Sequence, residues 1–206
     1  IHYLTLAANQ NDPNAQYNLG MIYYEGKYIK RDMNKAIYYL TLAANKKNYQ
    51  NLDNFDANYV NIISHISQMI LGDLLLEGKY LKRDIDEAFS KYIEISHITK
   101  LGWHAYNNLG AFCLYGFDTI DKNEYKAELY LRKAIECEKD RIALFNLSNI
   151  LLNKYDKSKS SEIFEEAIDL LIESASQNFY PSKHLLCTVL LNKYGTITYD
   201  ILRNEL

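Results

Sequence analysis

Proline, cysteine and glycine are all scarce in this sequence: 2 Pro, 3 Cys and 8 Gly among 206 residues. So little turn punctuation excludes the many tight turns of an all-β sandwich or barrel. Three cysteines, an odd and widely spaced set, exclude a disulfide framework. Cys113, Cys137 and Cys187 read instead as free thiols of a reducing compartment, and a cytoplasmic location is expected. Charge of one sign is also missing. Lys and Arg total 23 against 26 Asp and Glu, a net charge of −3, so no bulk attraction to phosphates is expected and nucleic acid is not an expected partner. No unbroken apolar run of about 18 residues is present. The densest stretch, Met69 to Leu76, is interrupted by Asp73, so no membrane span is expected. The chain opens at Ile1 without a secretory signal or an initiator Met, inside an apparent helix, and reads as an excerpt of a longer protein.

What the sequence has in abundance is 48% hydrophobic residues, 19 of its residues being Tyr, arranged in repeats. Tyr-Leu-Thr-Leu-Ala-Ala-Asn occurs at Tyr3 to Asn9 and again at Tyr39 to Asn45. Glu-Gly-Lys-Tyr-Ile-Lys-Arg-Asp at Glu25 to Asp32 returns, with one Ile-to-Leu change, at Glu77 to Asp84. A Leu-Gly pair marks three units, Leu19-Gly20, Leu71-Gly72 and Leu109-Gly110, with degenerate forms at Leu147-Ser148 and Leu186-Cys187. A period of this size is the mark of a solenoid array. The basic unit is 36 to 39 residues, and the second copy carries an insertion.

One unit explains the pattern. Pro13 to Glu25 places Ala15, Leu19, Ile22 and Tyr23 at helical spacing, with Pro13 in the first turn, where its missing N–H is harmless. Gly20 removes a side chain so that a neighbouring helix can approach. Gly26 caps the C-terminus, and Asp32 caps a second helix that gathers Ala36, Tyr39, Leu40, Ala43 and Ala44 on one face. Two such helices pack as an antiparallel hairpin. Asp84, Ala88 and Tyr92 repeat the second face in the next unit, with Asp84 and Glu87 in capping-box register. Ala127, Tyr130 and Ala134 repeat it in the third.

The string Ala15-x-x-x-Leu19-Gly20-x-x-Tyr23-x-x-Gly26, then Asp32-x-x-Lys35-Ala36-x-x-Tyr39-x-x-x-Ala43-Ala44, resembles the Sel-one-like repeat, a branch of the tetratricopeptide-repeat superfamily. The resemblance implies an all-α fold, an α/α solenoid of antiparallel helix hairpins wound as a right-handed superhelix. Residues 1–12 would end a preceding repeat, 13–48 form a repeat, and 49–66 an insertion with a helix extension. Residues 67–101 and 102–139 would be further repeats, 140–178 a degenerate one and 179–206 a partial one. Three departures stand out. Ser67, Ile95 and Ser96 replace Ala15, Ala43 and Ala44. Lys154 stands where Gly is expected, before a longer loop, Tyr155 to Ser161. The Asn- and Asp-rich stretch Tyr49 to Asn58 reads as a loop, with Asn61 to Ile70 extending the next helix.

Catalytic and metal chemistry finds no footing in the sequence. His2, His65, His97, His104 and His184 form no His-Glu-x-x-His motif and sit near no cysteine pair. Asp53 and Asp56 read as solvated loop residues. No phosphate-cradling loop or nucleophile elbow is present. No catalytic residue, metal ligand or cofactor is expected. Asn146-Leu147-Ser148 is formally a sequon, but Leu147 is a packing residue. The paired loops Lys27 to Arg31 and Lys79 to Arg83 admit two readings: a basic edge for an acidic partner, or a stereotyped connector with Tyr28 and Tyr80 tucked in. The recurring hydrophobe at Ile29 and Leu81 favours the connector.

The resemblance implies a non-catalytic protein-interaction scaffold or adaptor, which binds a protein or peptide segment in a concave groove lined by the first helix of each hairpin. Counting two before, two after and five after each Leu-Gly position gives Tyr17, Met21 and Tyr24; Met69, Asp73 and Leu76; Asn107, Ala111 and Leu114; Phe145, Asn149 and Leu152; and His184, Thr188 and Leu191. Aromatics and Met among amides suit a peptide. Two other classes fit less well. Cysteine-rich relatives linked to β-lactam binding or hydrolysis carry a regular Cys pair per repeat, whereas Cys113, Cys137 and Cys187 fall at unrelated repeat positions. RNA-binding helical arrays have a similar period, but near-neutral charge argues against that use.

Overall fold

The computed structural model describes residues 1–45, 54–97, 102–117 and 119–194, with the side chains of 54–58 left aside. The described residues are helical hairpins, with one isolated bridge, Phe117 to Ile120, in a loop. The chain divides into two compact units, residues 1–101 and 102–206. The first holds α1 (His2–Asn9), α2 (Pro13–Glu25), α3 (Met33–Ala44), α4 (Asn54–Glu77) and α5 (Ile85–Ser96). The second holds α6 (Gly102–Tyr115), α7 (Glu124–Cys137), α8 (Arg141–Ser158), α9 (Ser161–Ser176) and α10 (Tyr180–Tyr194).

Three hairpins, α2–α3, α4–α5 and α6–α7, close in the same way. The first helix ends on a glycine in the left-handed region, at φ 67° in Gly26 and Gly78 and 69° in Gly116, a conformation that only Gly adopts without strain. The next helix starts on a side-chain cap: Asp32 accepts from Lys35 N–H at 3.1 Å, Asp84 from Glu87 N–H at 2.9 Å and Asn123 from Lys126 N–H at 2.9 Å. The cap's own N–H then donates back to the first helix, to Tyr23 O (3.1 Å), Leu75 O (3.4 Å) and Cys113 O (2.7 Å). The Glu87 carboxylate pairs with Lys91 one turn on, at 3.1 Å.

Between the helices of each hairpin the Leu-Gly positions form the core. Leu19, Leu71, Leu109 and Leu147 are buried, as are the facing Ala36, Ala43, Ala88, Ala127, Ala134 and Ala167. A Cβ on Gly20 would lie 2.8 Å from Leu40 Cγ, and one on Gly110 2.7 Å from Leu131 Cγ, so the helices are in backbone-to-side-chain contact there. Tyr92 occupies the place of Leu40 and Leu131, eight residues after the cap, whereas Tyr130 corresponds to Tyr39. Tyr23 and Tyr39 stack at 6.1 Å and 3°. The replacements Ser67, Ile95 and Ser96 are all buried.

Successive hairpins are joined by polar side chains that satisfy helix-end carbonyls. The Gln16 side-chain amide donates to Ala8 O at 3.2 Å and Ser64 Oγ to Ala44 O at 2.8 Å, whereas Ser174 Oγ donates to Arg141 O at 2.7 Å within the α8–α9 hairpin and meets Ser182 Oγ of α10 at 2.6 Å.

Three expectations are corrected. Residues 54–58 are helical rather than loop; 49–53 lie outside the described residues. The early start follows from Val60 and Ile63, which bury ahead of the repeat. The loop expected at Tyr155 to Ser161 is helix as far as Ser158, and the turn is made by Lys159 at φ 57° and Ser160. With Lys154 in place of Gly, nothing halts the helix at the usual point, and it gains a further turn. Tyr28 and Tyr80 are not tucked in: they are 74% and 36% exposed. The segment Tyr59–Glu77 is also apolar over more of its length than its densest stretch, enough by length and composition to cross a bilayer. In the fold it is the central helix of the first unit, packed on α2, α3 and α5, with 56% of its most apolar window buried.

Lys154 makes a further contact. Its ammonium donates to Glu128 on α7, which also accepts from Arg132 at 3.0 Å, and Arg132 reaches Glu166 on α9 at 2.6 Å. Burial alone raises the Glu128 pKa, but the hydrogen bonds from Lys154 and Arg132 outweigh it and hold the carboxyl below its ordinary value of 4.5. A depressed folded pKa gives stability that is present above the unfolded pKa and lost as pH falls through the folded one. Glu128→Gln should therefore be about 1–2 kcal/mol less stable than wild type near neutrality. Thermal melts should show that gap begin to narrow as pH falls below the ordinary glutamate value and close only below the lowered folded one; a gap independent of pH would refute the assignment.

Candidate functional site

The first helices of the hairpins carry the candidate face, and each unit has its own set. In the first unit α2 turns Tyr17, Met21 and Tyr24 to one stripe, since positions four and seven apart stack along a helix, and all three are half-buried. Burial, then the Glu25 carboxylate and the Tyr59 phenol, push the Tyr17 phenol above its ordinary 10.0. Tyr17 is thus a protonated hydroxyl that can donate at neutral pH. Tyr24 lies under the Arg31 guanidinium, 5.5 Å from ring centre to Cζ.

On α4, which packs beside α2, Met69 and Asp73 are half-buried. Asp73 accepts from the Tyr92 hydroxyl at 2.5 Å, which ties its carboxylate to the hairpin core. Counting from the Leu-Gly position alone misses the front of this helix. Tyr59 and Ile62 are 55% and 41% exposed, and with half-buried Ile66 they continue the Met69 stripe at spacings of three and four. That periodicity was readable in the sequence, but a count tied to the standard repeat length stops short of it.

The second unit is different. Asn107 is only 7% exposed, and its Oδ1 has no hydrogen-bond partner among the described residues. Phe145 is half-buried and meets Phe179 edge-on at 5.6 Å, so its ring is engaged by the loop between α9 and α10. Asn149 donates to the Phe145 carbonyl one turn back, at 2.8 Å. His184 is exposed on α10, its ring 6.3 Å from that of Tyr180. Among the described residues no three His, Cys, Asp or Glu side chains come together as metal ligands.

Comparison with solved structures shows the fold. A Sel1 repeat protein from Oxalobacter formigenes aligns over 92% of this chain and 68% of its own, with 21% identity and a TM-score of 0.67. A protective antigen of uropathogenic Escherichia coli strains, which displays an SLR fold, aligns over 95% of this chain at 18% identity with a TM-score of 0.42. This chain spans about half of that protein, 52%. No curated protein matches the sequence. The Sel1 repeat family matches residues 1–12, 13–48, 65–90 and 103–138, and since these make up more than half of a chain built from the hairpins described above, the chain belongs to the Sel1 repeat family.

Proposed function

We propose that the face formed by α2 and α4 binds a partner protein as an extended or helical segment. Sel1 repeats generally serve as protein–protein interaction scaffolds and are generally non-catalytic. The observation that carries the reading is the stripe Tyr17, Met21 and Tyr24 beside Tyr59 and Met69, aromatic and thioether groups left half-buried or exposed by a hairpin whose core is already filled. Such residues concentrate binding energy when a partner covers them. The Tyr17 hydroxyl supplies a donor for a backbone carbonyl.

A peptide-display selection on the immobilised chain tests this. Recovered peptides should bind Tyr17→Ala/Met21→Ala at least tenfold more weakly than wild type, about 1.4 kcal/mol or more. Phe145→Ala, whose ring is engaged by Phe179, should leave the affinity nearly unchanged. A selection that enriches nothing, or peptides that bind the double variant as well as wild type, would refute the face.

A further inference from the structure

We infer that the first unit has a second binding site, a cleft at its loop edge that takes an acidic protein segment with an apolar residue among its carboxylates. The cleft is open to solvent, has a volume of about 870 Å³ and is lined by Lys30, Arg31 and Lys35 together with Ile1, Tyr23, Ile29 and Tyr80. Its lining residues are not those of the stripe on α2 and α4, although Tyr24 of that stripe touches Arg31, so the two sites are tested with variants that share no residue and leave Tyr24 unchanged.

Charge defines the occupant. Three cations line the cleft and one carboxylate, Asp32, which is occupied as the cap of α3. In a chain of net charge −3 this is a local concentration of the opposite sign. Arg31 is held in place before any ligand arrives. Its guanidinium lies 5.5 Å from the Tyr24 ring and 5.6 Å from the Tyr80 ring, and its Nε donates to Met33 Sδ at 3.3 Å. Rings on a guanidinium fix its plane while leaving its remaining N–H groups free, and among the described residues it forms no ion pair. A guanidinium fixed in this way is arranged for bidentate contact with a carboxylate.

Lys30 is exposed and also has no ion pair among the described residues. Lys35 sits 5.1 Å from the centre of the Tyr23 ring and 3.8 Å from Asp32, a loose pairing that an incoming carboxylate can share. Ile29 and the tyrosine faces supply the apolar part of the lining, which suits a side chain set between the acidic groups. A nucleic acid fits less well, because it needs cations along a strand and gains its affinity from many phosphates, whereas the chain as a whole is acidic.

The test uses a fluorescein-labelled peptide, Glu-Glu-Glu-Phe-Glu-Glu, titrated with the whole chain and followed by anisotropy. Saturable binding is expected in ~50 mM NaCl, weakened at least tenfold in ~300 mM. Lys30→Glu/Lys35→Glu should lower the affinity at least tenfold. Both side chains are exposed, so the thermal midpoint should hold, and Lys30→Gln/Lys35→Gln gives a milder second variant that should bind with intermediate affinity. Tyr17→Ala/Met21→Ala should bind this peptide as wild type does, which separates the site from the α2–α4 face. Absence of saturable binding, equal affinity in the lysine variants, equal binding of Lys-Lys-Lys-Phe-Lys-Lys, or tighter binding of a short single-stranded RNA would each overturn the inference.

Discussion

Gly110→Ala is expected to destabilise the chain by about 1–2 kcal/mol, even though Ala is the better helix former by about 1 kcal/mol. The new methyl would lie 2.7 Å from Leu131 Cγ and 3.4 Å from the Ala127 carbonyl oxygen. Leu131 is fully buried and cannot swing clear without opening the hairpin. Leu131→Ala alone should cost about 2–5 kcal/mol through lost burial and a residual cavity. The double variant places a methyl where that cavity opens, so its loss should be smaller than the sum of the two single losses. Chemical denaturation with unchanged slope measures all three. Gly72→Ala is the internal control. Its methyl would meet the Tyr92 ring at 3.2 Å, a contact that a few tenths of an ångström relieves, so helix propensity should bring it close to neutral. A harmless Gly110→Ala, or strictly additive losses, would show that close approach is not what this glycine provides.

Tyr92→Ala should be among the most damaging single changes, at about 3–5 kcal/mol, and Tyr92→Phe should lose about 1–2 kcal/mol. Tyr92 is fully buried where the neighbouring hairpins have leucine, and its ring passes over Gly72 so that its hydroxyl reaches Asp73 on the opposite helix. Phenylalanine keeps the ring and removes only the donor to a carboxylate. Alanine removes both and leaves a gap under a glycine that cannot fill it. Denaturation midpoints of the two variants would separate these contributions. Equal losses would mean that the ring contributes nothing beyond its hydroxyl.

Much of the fold was legible because its determinants are local. Asp12, Asp32, Asp84 and Asn123 cap helices through their own side chains, and Gly26 and Gly78 end helices through their own backbone; short strings of residue types encode both. The periodic Leu-Gly pairs encoded the hairpin cores for the same reason. What escaped depends on partners far apart in the chain. Tyr28 and Tyr80 stand exposed, and Arg31 of one connector lies over the Tyr80 ring of the next, a contact between separate repeats that no spacing rule reports. The pairing of Lys154 with Glu128 joins residues 26 apart, on different helices. Of the candidate face, the α2 stripe follows from counting from the Leu-Gly position along the helix that the resemblance assigns to the groove, while Tyr59 lay beyond the repeat length of that count. The burial of Asn107 and the engagement of Phe145 by Phe179 come from packing against other elements, which a single helix's periodicity does not register.

The backbone bond from each cap residue to the end of the preceding helix also governs where the chain can change length. Between Gly26 and Asp32, and again between Gly78 and Asp84, a left-handed glycine, a returning N–H and a side-chain cap must all be met within one short connector. A residue added there disturbs three fixed points at once. The joint between α1 and α2 closes in the same way, with Asn11 at φ 63° and Asp12 both donating to Ala7 O and capping α2, while Ser64 ties α4 to the end of α3 at Ala44 O. The hairpin connectors therefore hold their length, whereas the Ser64 bridge at the α3–α4 joint is a side-chain contact that does not depend on the length of chain between the two helices. The insertion between α3 and α4 sits at that joint, and the two basic connectors remain the same length.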